Sequence, residues 1–445
     1  MHPIEFFLFT IDEWEIFLFL FIVCCFILYI LTLRLSISGL FDPFHLTYTF
    51  TIGTKYAVLI YLYIYDLIDL YYFTLFSLYG IVFYLGLVYF SKKDKNLIKT
   101  TINFLIPKGA ENIAFYFILL LFILVSLYII YNIGFGLFAE ANRFENNKGN
   151  GALVRITDCF GIFIIAYTSI MLYKKYEKNG YKSNFISYLS YFGVFLFIIF
   201  FTILNGAKAI FLVCILTIIV SISIYKNKKI NLGFFKGTIL LTIATFFALA
   251  GLSLNLIINN YDVHINLVIQ EFIHRIVANG NQTYMGLPNN VIEKIETDNI
   301  FIRIGMQIFG SGFMSNIVGY DTNNLAVGRQ FLIYHAGTDD VVAGGPTSHF
   351  DLFAYVYFGP FFSIVFIIFL SYLIGSIKAT SNYCNKKSIF YISLVATIWI
   401  RGLSIILEPA TGIAYITDIF ILFIFINIMT LFFSISISQK KVLNA

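Results

Sequence analysis

Long apolar runs, separated by short polar stretches, fill this chain from end to end. A bilayer core about 30 Å thick is crossed by about 20 apolar residues in helical form. Runs near that length lie at 16–33, 46–65, 71–90, 112–131, 153–172, 185–204, 209–225, 238–258, 353–377, 388–406 and 416–435. They predict an all-α polytopic membrane protein with about eleven transmembrane helices. Ile, Phe and Tyr dominate many of the runs and would favour strands in water. In lipid the backbone must satisfy its own hydrogen bonds, so helix overrides that preference. A transmembrane barrel would show short alternating segments, whereas these runs are continuous. No fixed-period repeat and no Pro- or Ser-rich linker divides the chain, so residues 1–445 read as a single membrane domain.

Charge orients the spans. Nineteen Lys and Arg gather in alternate loops, among them Lys92, Lys93, Lys174, Lys175, Lys228, Lys229, Lys386 and Lys387, beside only four acids. The remainder of the chain holds 10 bases and 20 acids. The mild net charge of +5 is therefore a difference between a side near +15 and a side near −10. By the positive-inside rule the lysine-rich side is cytoplasmic. The amino-terminal stretch carries Glu5, Asp12, Glu13 and Glu15 without Lys or Arg. The N-terminus is thus expected outside and the C-terminus in the cytoplasm. Two segments then face outward, a smaller one at 132–151 and a large loop at 259–349, between the eighth and ninth helices.

Composition removes other classes. Only 12% of residues are charged and mean hydropathy is +0.85. A water-soluble enzyme, a coiled coil and a disordered chain are all excluded by that balance. Five cysteines form no CxxC pair and lie far from any His at metal-ligand spacing. They read as buried thiols, and no metal site or cofactor is expected.

The large loop concentrates the unusual residues. Its start, VHINLVIQEFIHRIVAN, places Ile265, Val268, Ile269, Phe272 and Ile276 on one helical face, flanked by His274 and Arg275. This predicts an amphipathic helix on the bilayer or over the bundle. A second such helix is expected over 291–309, carrying Arg303. Outside the lysine-rich loops the bases are few, and six of the seven arginines are among them. Arg155, Arg275, Arg303 and Arg329, with Lys208 in the tight Asn205–Lys208 turn, are candidates for an anionic headgroup or diphosphate. The planar guanidinium fork suits phosphate oxygens. A solvated surface charge or a snorkelling anchor is the simpler account of any single one, and the set is what points to an anion. Arg155 and Asp158 are spaced for an i,i+3 ion pair. Arg401, Glu408 and Asp418 are ionisable groups at the ends of the last two spans, either functional or paired among themselves. Lys55, in the middle of the second span, has no evident partner. Candidate general bases are His264, His274, His335, His349, Asp339, Asp340 and Asp351. His349 stands first, with Asp351 second, because it lies at the membrane boundary beside the flexible GGPTS stretch.

Three patterns carry a family resemblance. The loop end GGPTSHFDLFAYVYFGPFFSIVFIIFL, the small-residue turn in NGAKAIFLVCIL, and Arg275 followed by ten residues and Gly286 are the relevant stretches. Together with the span layout, they resemble Wzy-type O-antigen or oligosaccharide repeat-unit polymerases. A second copy of the Arg motif is missing from the 132–151 segment, where Val154 stands eleven residues after Arg143. The resemblance implies a metal-independent glycosyltransferase of the bacterial inner membrane. Its donor and acceptor would both be undecaprenyl-diphosphate-linked oligosaccharides, and a chain-length regulator protein would be a further partner. Nucleic acid has no place in that scheme. Basic residues would neutralise the diphosphate, and His349 or Asp351 would take the acceptor proton. An O-antigen ligase and a flippase for lipid-linked oligosaccharides are the alternatives.

Overall fold

The computed structural model describes residues 1–93, 97–138, 150–180, 182, 184–206, 209–229, 253, 264–338, 345–384 and 387–443. Among these the chain is helical without strands. Its helices are α1 (Pro3–Asp12), α2 (Trp14–Thr32), α3 (Gly53–Ile64), α4 (Leu70–Phe90), α5 (Leu97–Phe104), α6 (Glu111–Asn132), α7 (Gly151–Lys178), α8 (Phe185–Asn205) and α9 (Ile210–Lys226). Then follow α10 (Ile265–Val277), α11 (Asn281–Gly286), α12 (Ile300–Phe309), α13 (Ser311–Val318) and α14 (Val327–Ala336). The last four are α15 (Phe350–Ser381), α16 (Ile389–Gly402), α17 (Ser404–Leu407) and α18 (Pro409–Leu443).

Among the described residues eight helices are long and apolar enough to cross a bilayer, which makes this a multi-pass membrane protein. Their outward faces are apolar too: Phe19, Leu85, Tyr116, Leu127, Phe192, Phe361 and Phe432 are all exposed. A soluble protein buries such residues, so this belt is lipid-facing. The second predicted span is built in two parts, a π-helix over His45–Ile52 running directly into α3. The run at 209–225 forms α9, only 17 residues long. Apart from residue 253, the run at 238–258 lies outside the described residues.

The expected span 353–377 takes a different form. Helix α15 folds back on itself. Gly359 has φ 67° and ψ −178°, a conformation open to glycine alone, and Pro360 follows it. Phe353 and Phe366 have ring centroids 5.9 Å apart. Thirteen residues of straight helix would separate them by about 20 Å. The register against α4 shows the same reversal. Phe350 stacks on Phe83, and Tyr355 lies against Phe76 and Tyr72, so the first arm runs antiparallel to α4. Tyr79 donates to the Pro360 carbonyl at 2.7 Å, and Gly86 and Phe90 pack beside Ser371 and Gly375, so the second arm runs parallel to it. The stretch read as a loop end leading into a span is thus a helical hairpin, with Ser348 and His349 at the buried foot of its shorter arm.

The long segment also departs from the simple picture of two surface helices. Val268 on α10 is buried and Arg275 is exposed, as an amphipathic helix requires, while the side chains of Ile265 and Ile269 lie outside the described set. The expected helix over 291–309 is broken. A 3-10 turn at Pro288–Glu293 contains Asn289 and Asn290 with left-handed φ, and α12 begins only after the Asn299 cap, whose side chain accepts from Phe301 N at 2.8 Å. The segment dips into the bundle: Gly280 packs on Val58 and Lys55 of α3, near the middle of the second span.

Candidate functional site

The foot of the hairpin gathers the buried polar chemistry. His349 precedes α15 with φ 49°, a left-handed conformation that costs a non-glycine residue energy and persists where surroundings enforce it. Here its backbone N–H donates to the Leu407 carbonyl at 2.8 Å. Its side chain is fully buried. Nδ1 contacts the Gln282 side-chain amide on α11, and Nε2 has no hydrogen-bond partner. Gln282 Oε1 and Thr283 Oγ1 beside it are likewise buried without a partner. The side chain expected at the membrane boundary is thus enclosed by protein, roofed by the Gln282–Thr283 turn.

Asp351, two residues on, is also fully buried and pairs with Lys55 of α3. The Lys55 ammonium lies 4.2 Å from the centre of the Tyr56 ring and 5.4 Å from that of Phe76. The cation with no evident partner in the sequence thus has one 296 residues away. Asp351 Oδ1 accepts from Leu352 N at 2.9 Å. Before His349, Ser348 donates from its N–H and its hydroxyl to Glu408 Oε2, at 2.9 and 2.8 Å.

A second cluster lies along α7, α16 and α18. Arg155 Nε donates to Asp418 at 2.9 Å and its Nη2 to the Ile308 carbonyl at 2.7 Å. The expected i,i+3 pair with Asp158 is not the arrangement found, since Asp158 accepts from Asn205 instead. Arg401 Nη1 donates to the Arg155 carbonyl at 3.0 Å, and its guanidinium lies 4.3 Å from the Tyr415 ring centre. Its Nη2 is 3.5 Å from Asp418, but Nε and Nη2 are buried without hydrogen-bond partners. Half-buried Arg155 and buried Arg401 thus lean on one carboxylate. One turn away, Thr157, Asp158, Asn205, Gly134 and Gly136 line a small cleft of about 20 Å³. Lys208, three residues beyond Asn205 in the sequence, lies outside the described residues.

The clusters are joined by 401–408, the segment that carries Arg401, Leu407 and Glu408. Of the other expected residues, Arg303 lies within electrostatic reach of Glu408. Arg303 is 2% exposed and its fork is engaged by Asp298, at 3.1 and 2.7 Å, and by the Thr322 carbonyl at 2.9 Å. That geometry holds α12 to the turn at 322 and leaves its bidentate face occupied. Arg275 is exposed on α10, and Arg329 is half-buried in the first turn of α14. His264 is exposed, and His274 packs against Phe7 at 4.9 Å. His335 Nε2 donates to the Met285 carbonyl at 2.9 Å, and burial holds its pKa below the ordinary 6.5. Asp339 and Asp340 lie outside the described residues.

Sequence reasoning did not single out Gln282 or Ser348, small polar side chains without a motif. Arg401 and Glu408 had the usable signal, a charge inside an apolar span. Comparison of the chain with protein-family models, curated proteins and solved structures gave no match.

Proposed function

We propose that this chain is a Wzy-like polymerase of the bacterial inner membrane, joining undecaprenyl-diphosphate-linked oligosaccharide units on the outer face. The observation that carries this reading is that half-buried Arg155 and buried Arg401 share Asp418, with Arg401 Nε and Nη2 lacking hydrogen-bond partners. Buried donors without partners are costly, and an anionic group would satisfy them. In the proposed reaction the acceptor hydroxyl oxygen attacks the anomeric carbon of the donor sugar. The bond from that carbon to the diphosphate oxygen breaks, and the electron pair leaves with the diphosphate. Guanidinium groups stabilise that developing charge, and so replace a metal in this role. The hydroxyl proton passes to His349 Nε2, the ring nitrogen left without a partner. Asp351, paired with Lys55, anchors the helix on which His349 sits. Arg275, Arg329 and Lys208 are the proposed contacts for the incoming carrier.

The test is reconstitution of the full chain in liposomes with a synthetic undecaprenyl-diphosphate repeat unit. Ladders of increasing glycan length are expected. His349→Ala and Arg401→Ala each abolish them while membrane insertion is retained. No ladder from the unaltered chain, or full ladders from both variants, overturns the reading. A ligase would need a lipid A core acceptor. The break at Gly359–Pro360 favours one second reading, a flippase, because transporters place discontinuous helices at their substrate sites. In the same liposomes a flippase changes only the sidedness of the lipid-linked unit.

A further inference from the structure

The segment over Asn299–Gly319 is a second hairpin, and its outer surface is apolar. Helix α12 runs from the Asn299 cap to Phe309, Gly310 turns the chain with φ 99°, and α13 returns. The return is visible in the contacts: Met314 lies against Gly305, Phe309 and Phe313 have ring centroids 6.1 Å apart, and Ser315 Oγ is 3.1 Å from Thr322 Oγ1. Thr322 in turn accepts from Arg303 near the start of α12. One face of α12 is buried, with Arg303 and Met306. The other side of the hairpin exposes Phe301 (81%), Phe309 (60%), Phe313 (58%) and Ile317 (63%).

Its depth follows from a chain of hydrogen bonds. The Ile308 carbonyl accepts from Arg155, and Arg155 donates to Asp418. Asp418 is the tenth residue of the apolar span Pro409–Phe432, about 14 Å along the helix from its start. The tip of the hairpin is therefore level with the interior of a membrane-spanning helix. The exposed rings continue the lipid-facing surface that α18 shows at Ile421, Ile424 and Phe425. The backbone of the turning residue is closed as a bilayer favours. Gly310 N donates to the Met306 carbonyl at 2.9 Å, and the Gly310 carbonyl accepts from Met314 N at 3.1 Å. A turn exposed to lipid with these groups open would cost several kcal/mol for each.

We infer that the α12–α13 hairpin is inserted in one leaflet of the bilayer, tip inward, with Phe301, Phe309, Phe313 and Ile317 packed on acyl chains. The occupant of this face is the bilayer itself. The inference is independent of the proposed glycosyl transfer and holds for any chemistry at the site.

Spin labels on cysteines test it. Phe301→Cys, Phe309→Cys and Ile317→Cys are made in the full chain, with Asp321→Cys as an exposed polar control. Each is reconstituted in vesicles of dioleoyl phosphatidylcholine without any isoprenoid, and the unsubstituted chain gives the background from its own five cysteines. Collision with oxygen is compared with collision with a water-soluble nickel chelate. Labels at 301, 309 and 317 are expected to meet oxygen and avoid the chelate, with 309 the deepest, while the label at 321 meets the chelate. Chelate access at 309 and 317 equal to that at 321 overturns the inference. Protection of 309 from both reagents overturns it too, because a protein surface or a second copy would then cover the face. Vesicles without isoprenoid separate bilayer lipid from a carrier lipid: if oxygen contact at 309 appears only after isoprenoid is added, the bilayer is not the occupant.

Discussion

Asp351 and Lys55 are 296 residues apart in the chain and share one buried contact. Each is almost completely shielded from solvent. Removing one partner leaves an uncompensated charge in a low-dielectric site, at a cost of about 3–5 kcal/mol. Replacing both with apolar residues of similar volume avoids that penalty. Thermal unfolding in detergent should therefore show a large loss of stability for Asp351→Leu and for Lys55→Met. The double variant should recover most of it. Equal losses in all three would mean that the two side chains are not coupled. The pair was illegible in the sequence because nothing local links the partners. A lone lysine in an apolar run announces only that a partner exists. Arg155 teaches the converse lesson. Asp158 stood at the right spacing, yet such i,i+3 pairs are worth only about 0.2–0.5 kcal/mol. Tertiary contacts easily override that, and Asp418, 263 residues away, takes the guanidinium instead.

At the scale of elements, apolar run length was a sound guide. The predicted starts at 71, 112, 185 and 209 fall within one residue of α4, α6, α8 and α9. Lipid demands internal hydrogen bonding, so a long apolar run has little choice but helix. Run length does not reveal direction, and 353–377 looked like one span because its residues are apolar throughout. The missed signal was Gly359–Pro360, a turn dipeptide inside that run. The reversal there makes a sharp prediction. A Cβ built on Gly359 meets nothing within 4 Å, so an alanine would be strained by its backbone alone. At φ 67° and ψ −178° that strain is about 1–3 kcal/mol. Gly359→Ala should lower the unfolding temperature and expose the foot of the hairpin. Proteolysis or hydrogen exchange near Ser348–Asp351 should rise, with far less change in α4. Unchanged protection at the foot would argue that the two arms do not depend on this turn.

At the scale of the whole molecule, the charge pattern and the buried site can be tested against each other. The lysine-rich side carries 19 bases and four acids, while the rest carries 10 bases and 20 acids. Bases in short loops resist crossing the membrane, so that side is expected in the cytoplasm. Exposed positions on the two sides report the result directly. Lys175 lies in the last turn of α7, in a lysine-rich group, and Asp321 lies in the long segment beside the inserted hairpin. In intact cells an impermeant maleimide should label Asp321→Cys and spare Lys175→Cys until the membrane is opened. The outcome bears on chemistry as well as orientation. The half-buried carboxylate–arginine cluster, the cleft beside Asn205 and the Gln282–Thr283 roof over His349 all lie toward the long segment. If that segment faces outward, a lipid-linked glycan assembled inside and carried across would meet these groups first. If labelling is reversed, the same groups face the cytoplasm and an outer-face polymerase is excluded, whatever residues the mutants implicate.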